Sequence, residues 1–153
     1  MDSIIVFIAN YVFILSILLA GIYWLFVPKD NKIAILKLTI FSFPIAYILS
    51  KISAKFIYDP RPFVIKHIKP LITHVPDNGF PSDHTMLTAA IASVVFIYNK
   101  RLGVLLYVVS LAIGVSRVLA QIHHPLDIIG SIIIAFISVT LGYVLLKRFK
   151  HKN

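Results

Sequence analysis

Three short stretches of this 153-residue chain hold side chains whose types and spacing suit one kind of chemistry. The first runs Lys55-Phe-Ile-Tyr-Asp-Pro-Arg61-Pro62, and the second is Pro81-Ser82-Asp83-His84-Thr85. The third is Ser116-Arg117, five residues, His123, three residues, Asp127. Together they supply several cations, a helix start, two histidines and a carboxylate. That set suits phosphoryl transfer, where most of the work is positioning and neutralising charge.

Each group has a role in that chemistry and a blander alternative beside it. Arginine gives phosphate two parallel hydrogen bonds, so Arg61 and Arg117 can clamp its oxygens while Lys55 adds a point charge. Arg61 could equally pair with Asp59, and Arg117 could snorkel to the interface. Ser82 follows Pro81 and precedes an apolar run, which marks it as a helix N-cap next to an anion-attracting helix end. Capping alone would also explain Ser82 and Asp83. Pro125 suits a first helical turn, which puts His123 just before a helix and Asp127 inside it. A carboxylate there can take the Nδ1 proton bond of an imidazole and leave Nε2 free to attack phosphorus. His124 is a second possible partner, and Asp127 could instead serve the helix dipole.

The elements that must carry these groups are apolar. Hydrophobic residues make up 59% of the chain and charged residues 14%, and mean hydropathy is +0.91. An ordinary globular domain is about 45–50% apolar and about 25% charged. The excess is grouped in long uncharged runs, which points to an integral membrane protein. The chain has no cysteine, so disulfides, thiolate zinc sites and a Cys nucleophile are excluded. Residues 1–153 read as a single membrane-embedded domain.

Five runs are expected to span: Ile4 to Val27, Ile33 to Ile57, Thr85 to Tyr98, Leu102 to Ile122 and Leu126 to Leu146. The first lacks the basic start and cleavage site of a signal peptide and reads as a retained helix. Pro44 should kink the second. Tyr58 to Asp83 is a long, proline-rich connection. Within it, apolar Phe63, Val64, Ile65, Ile68, Leu71 and Ile72 alternate with Lys66, His67 and Lys69. That pattern predicts a short helix or turn on the membrane surface. The fold expected is therefore all-α: a bundle of five transmembrane helices, or six if the element within Phe63 to Thr73 counts.

Charge sets the orientation. With five spans, one side holds nine basic residues against Asp30, a balance of +8, and the other holds six against five acids, a balance of +1. The positive-inside rule makes the +8 side cytoplasmic, together with the C-terminus. The basic tail from Lys147 to Lys152 then serves as a topology anchor, and no nucleic-acid partner is needed. Nearly every residue capable of chemistry falls on the outer side.

The three motifs resemble those of the type-2 phosphatidic acid phosphatase superfamily, which includes membrane lipid phosphatases and vanadium haloperoxidases. Its pattern is Lys-x6-Arg-Pro, Pro-Ser-Gly-His and Ser-Arg-x5-His-x3-Asp. The third motif matches throughout. The second matches except that Asp83 replaces glycine. The first matches at Arg61-Pro62, with Lys55 one residue too close and Lys51 too far. The resemblance implies that His123 is a nucleophile oriented by Asp127 and that His84 is the acid and base. It assigns phosphate binding to Lys55, Arg61, Ser82 and Arg117, and it requires no metal or other cofactor. The family core usually has six helices.

The Pro-Ser-Asp-His-Thr form looks like the bacitracin-resistance type of undecaprenyl diphosphate phosphatase, in the bacterial cytoplasmic membrane with its site facing outward. Lys66, His67, Lys69 and His74 could screen a second phosphate, or meet lipid headgroups. Phosphatidylglycerol phosphate, phosphatidic acid and lipid A are the rival lipid substrates. A small proton-coupled transporter and a membrane scaffold are the rival classes.

Overall fold

The computed structural model describes residues 1–150. Five long helices carry the five apolar runs: α1 (Asp2–Phe26), α2 (Lys29–Phe56), α4 (Asp83–Tyr98), α5 (Lys100–Leu119) and α6 (Pro125–Lys150). A four-residue helix, α3 (Pro62–Ile65), lies in the long connection. α1, α2, α5 and α6 are long and apolar enough to cross a membrane, while α4 is shorter. The protein is an all-α membrane protein. Among the described residues the only β feature is an isolated bridge between Pro60 and Asn78.

α4 sits at the centre. Its Ala89, Ala90 and Val94 pack with Ile35 and Leu38 of α2 and with Ala135 and Val139 of α6. Ile91, Ala92 and Val95 pack with Leu106 of α5. Lipid tails are as apolar as leucine, so helices in a bilayer gain mainly from close contact and buried hydrogen bonds. The small residues of α4 allow that contact. Thr88 donates to Ser110 on α5 at 2.8 Å, and Ser93 meets the Tyr107 hydroxyl at 2.6 Å. α1 buries only Ala9 and Ser16 and turns residues such as Phe7, Leu18 and Leu25 outward.

Helix ends follow local chemistry. Asn99 alone joins α4 to α5. Its N–H closes α4 on Val95 O at 2.8 Å, and its side chain caps α5 by accepting from Leu102 N at 3.1 Å. A Cβ on Gly103 would collide with the Phe96 backbone, so this hairpin needs glycine there. α2 runs through Pro44 without ending. α5 ends at Leu119, short of the expected Ile122, and Gln121 then takes a left-handed φ of 62°.

The surface element is smaller than expected. Helix extends only from Pro62 to Ile65, and His67 turns the chain with a φ of 52°. Beyond it the segment is tied by Phe63 N to Gln121 O and by Leu71 N to Ala120 O, each 3.2 Å. It packs on the α5–α6 turn and forms no sixth span. The basic tail residue Lys152 lies outside the described residues.

Candidate active site

The three motifs meet where α2 and α5 finish and α4 and α6 begin. A polar cavity of about 350 Å³ opens there. Its lining includes Arg61, His84, Arg117 and His123, with Lys51, His74, Asp77 and Asp83 beside them. A larger groove of about 450 Å³ lies between α1, α2 and α4, but its wall is almost wholly apolar and holds none of these groups.

Asp127 is fully buried in the first turn of α6. Its Oδ2 accepts from His123 Nδ1 at 3.0 Å and from the His124 backbone N–H at 2.9 Å. The imidazole partner of Asp127 is thus His123, and His124 contributes its main chain. With Nδ1–H given to a carboxylate, His123 Nε2 carries the lone pair. Burial pushes the His123 imidazole below the usual histidine range; the Asp127 bond pulls it upward, and the charges of Arg117 and Arg61 add to the depression. Burial therefore favours the neutral ring.

Both arginines are buried at the cavity wall. Arg61 does not pair with Asp59. Its Nε donates to Asp77 at 2.7 Å, while NH1 donates to Ile122 O at 2.8 Å and lies 3.4 Å from His123 Nε2. Arg117 NH1 donates to the Ala9 carbonyl of α1 at 3.1 Å, and its Nε has no partner among the described residues. A buried guanidinium with donors to spare is suited to an anion. His84 lines the cavity from the first turn of α4, its ring edge-on to Phe13 at 5.2 Å.

Other expected residues lie elsewhere. Ser82 is the N-cap of α4 by position, but it is fully buried and its hydroxyl meets Thr85 Oγ1 at 3.2 Å instead of a backbone amide. It does not line the cavity. Lys55 is exposed and also absent from the wall, whereas Lys51, one turn earlier on α2, lines it. Lys66 bonds Gln121 at 2.7 Å, Lys69 is exposed, and neither reaches the cavity. Asp83 lines it while remaining exposed.

The long connection supplies two groups whose place the motifs did not reveal. Asn78 spends its whole amide on the backbone: Nδ2 donates to Ala54 O and Ile57 O, and Oδ1 accepts from Asp59 N and Phe80 N. This anchors the loop to the end of α2 and carries His74 and Asp77 to the cavity. Pro76-Asp77-Asn78-Gly79 is strong turn chemistry, the one signal in the sequence for this fold-back. Burial and the Arg61 charge push His74 down. Burial works against the Asp77 charge, but the Arg61 bond outweighs it and holds that carboxyl below its ordinary range.

Asp59, His124 and Asp127 form a group whose ligand atoms all lie within 4.8 Å of one another, the one such cluster found among the described residues. Asp59 Oδ1 and His124 Nδ1 are 2.9 Å apart but poorly aligned for a hydrogen bond.

Known proteins place the chain. Residues 35–150 match the PAP2 superfamily model, a span that contains all three motifs. The chain is 32% identical over 139 residues to the bacitracin transport permease protein BcrC of Bacillus licheniformis, covering 90% of this chain and 68% of that protein. Identity is also 32% over 137 residues to the undecaprenyl-diphosphatase BcrC of Bacillus subtilis (strain 168), covering 90% and 70%. The crystal structure of Aquifex aeolicus LpxE shares the fold with a TM-score of 0.73 at 23% identity, over 93% of this chain and 84% of that one. The helical membrane fold, the ordered motifs and these relatives agree: the chain belongs to the PAP2 superfamily and is a membrane phosphatase.

Proposed function

We propose that this phosphatase removes the terminal phosphate of undecaprenyl diphosphate at the outer face of the bacterial cytoplasmic membrane, through a phosphohistidine at His123. The observation that carries the reaction is the buried His123–Asp127 pair, with Nε2 beside a cavity walled by Arg61 and Arg117. The two relatives named BcrC support the diphosphate, one of them by its name as an undecaprenyl-diphosphatase. The +8 against +1 division of charge supports the sidedness.

Phosphate oxygens are held by Arg61 and Arg117, with Lys51 adding charge. His123 Nε2 attacks the terminal phosphorus and a P–N bond forms. The bond from phosphorus to the bridging oxygen breaks, and His84 delivers a proton to that oxygen. Undecaprenyl phosphate leaves. His84, now neutral, takes a proton from water, whose oxygen attacks phosphorus and breaks the P–N bond. Inorganic phosphate and free His123 result. Asp127 stabilises the positive ring throughout, and side-chain cations balance the charge without a divalent ion.

Phosphate release from the purified chain across undecaprenyl diphosphate, phosphatidylglycerol phosphate, phosphatidic acid and lipid A tests the substrate. Undecaprenyl diphosphate should show the highest kcat/KM, and equal turnover of another lipid would remove that assignment. His123→Ala should lose at least about a thousandfold in kcat, as removal of a nucleophile does elsewhere. pH-driven flux in liposomes with no phosphate release would favour a transporter.

A further inference from the structure

A second histidine and aspartate lie behind the proposed nucleophile, and the reaction above does not use them. Asp127 is fully buried, and both of its hydrogen bonds fall on Oδ2. Its Oδ1 has no hydrogen-bond partner among the described residues. An acceptor buried in that state costs about 1–3 kcal/mol, so a donor beside it matters. Asp59 and His124 are the neighbours, with ligand atoms within 4.8 Å. His124 Nδ1 stands against Asp59 Oδ1 at 2.9 Å, which leaves the Asp59 carboxyl as the group facing Asp127.

The backbone fixes Asp59 in this position. Its N–H donates to Asn78 Oδ1 at 3.0 Å, and its carbonyl accepts from Gly79 N at 2.8 Å. A Cβ at Gly79 would come within 2.9 Å of Asp127 Oδ2 and 3.2 Å of the Asp59 carbonyl, so only glycine lets the loop close over both. Two carboxyls this close cannot both ionise cheaply. Burial raises the Asp59 carboxyl above its ordinary range, the Asp127 charge raises it further, and His124 offsets part of the rise. The rise favours a proton on Asp59.

We propose that Asp59 is a positioning residue for the nucleophile: its carboxyl donates a hydrogen bond to the open oxygen of Asp127. This rests on His123 being the nucleophile. With Oδ1 occupied, Asp127 is fixed. It then orients the His123 ring without drawing the ring toward its protonated form.

The groups facing Asp59 are Asp127 from α6 and His124 from the turn before it, while Arg61 directs its guanidinium to Asp77 and His123. Asp59→Asn keeps a donor toward Asp127, and Asp59→Ala does not. With the best substrate of the lipid panel, Asp59→Ala should lose roughly tenfold in kcat with KM little changed. Its acid limb should move toward neutral pH, because a bare Asp127 stabilises the protonated His123 ring. Asp59→Asn should keep kcat within about threefold and leave the limb in place, as a donor alone requires. Equal losses in both variants, or an unmoved limb in Asp59→Ala, would overturn the proposal. His123→Ala is measured alongside: a loss of less than about tenfold there overturns the nucleophile itself and separates that failure from a failure of the Asp59 proposal.

Discussion

Asp77 holds Arg61 by its Nε at 2.7 Å, joining an exposed carboxylate of the long connection to a buried guanidinium at the cavity wall. The pair fixes one edge of the arginine and leaves its NH1 toward Ile122 and His123.

Removing that carboxylate should loosen Arg61 without unfolding the bundle. Asp77→Ala should lower kcat/KM by roughly fivefold, the value of about one hydrogen bond. Because the Arg61 bond holds the Asp77 carboxyl below its ordinary range, the pair stays ionised at neutral pH and is lost only as pH falls through that lowered value. The ratio of wild-type to variant activity should therefore be constant between about pH 6 and 8. A ratio that varies across this window would argue against the pair.

Lys51 and Lys55 should behave differently although they share one face of α2. Lys51 lines the cavity and Lys55 does not. Lys51→Ala should raise KM for a diphosphate lipid by roughly tenfold, in line with a charge-assisted contact of about 1.5–3 kcal/mol that is partly screened. Lys55→Ala should stay within about twofold of the parent. Kinetics of the two variants on one lipid decide it, and the reverse order would restore Lys55 to the site.

The pH dependence of kcat/KM should carry the mark of His123. Nucleophilic attack needs the neutral ring. Burial, reinforced by Arg117 and Arg61, outweighs the upward pull of Asp127 and sets the ring below the histidine reference of about 6.5. Activity should therefore persist below pH 6.5 and fall only as the ring gains its proton at lower pH. An acid limb above pH 7 would mean that the Asp127 bond wins.

Vanadate, which adopts the five-coordinate geometry of phosphoryl transfer, should inhibit in competition with substrate. EDTA should leave hydrolysis unchanged, because Arg61, Arg117 and Lys51 supply the positive charge. Activity lost to EDTA and restored by a divalent ion would instead assign a metal to Asp59, His124 and Asp127.

The five helices were legible because uncharged runs of that length have few other uses, and His84, Arg117, His123 and Asp127 were legible as motif positions. What escaped depends on contacts distant in sequence. Lys51 and Lys55 lie one turn apart, and spacing alone cannot say which faces inward at a helix end. The Asp77 contact to Arg61 exists because Asn78 stitches the loop to residues 54 to 59, across some twenty positions. Arg117 takes its carbonyl partner from Ala9, 108 residues away. A four-residue helix with a left-handed turn at His67 leaves little periodic trace in sequence.

The shortness of α4 bears on how the reaction ends. Sixteen residues span about 24 Å, less than a hydrocarbon core of about 30 Å. If Asn99 lies at the cytoplasmic interface, the floor of the cavity is recessed below the outer one. In the proposed reaction the two products part there. Inorganic phosphate escapes upward into water, and the shortened lipid slides back among its neighbours. Separation into two phases clears the cavity for the next lipid without a moving part.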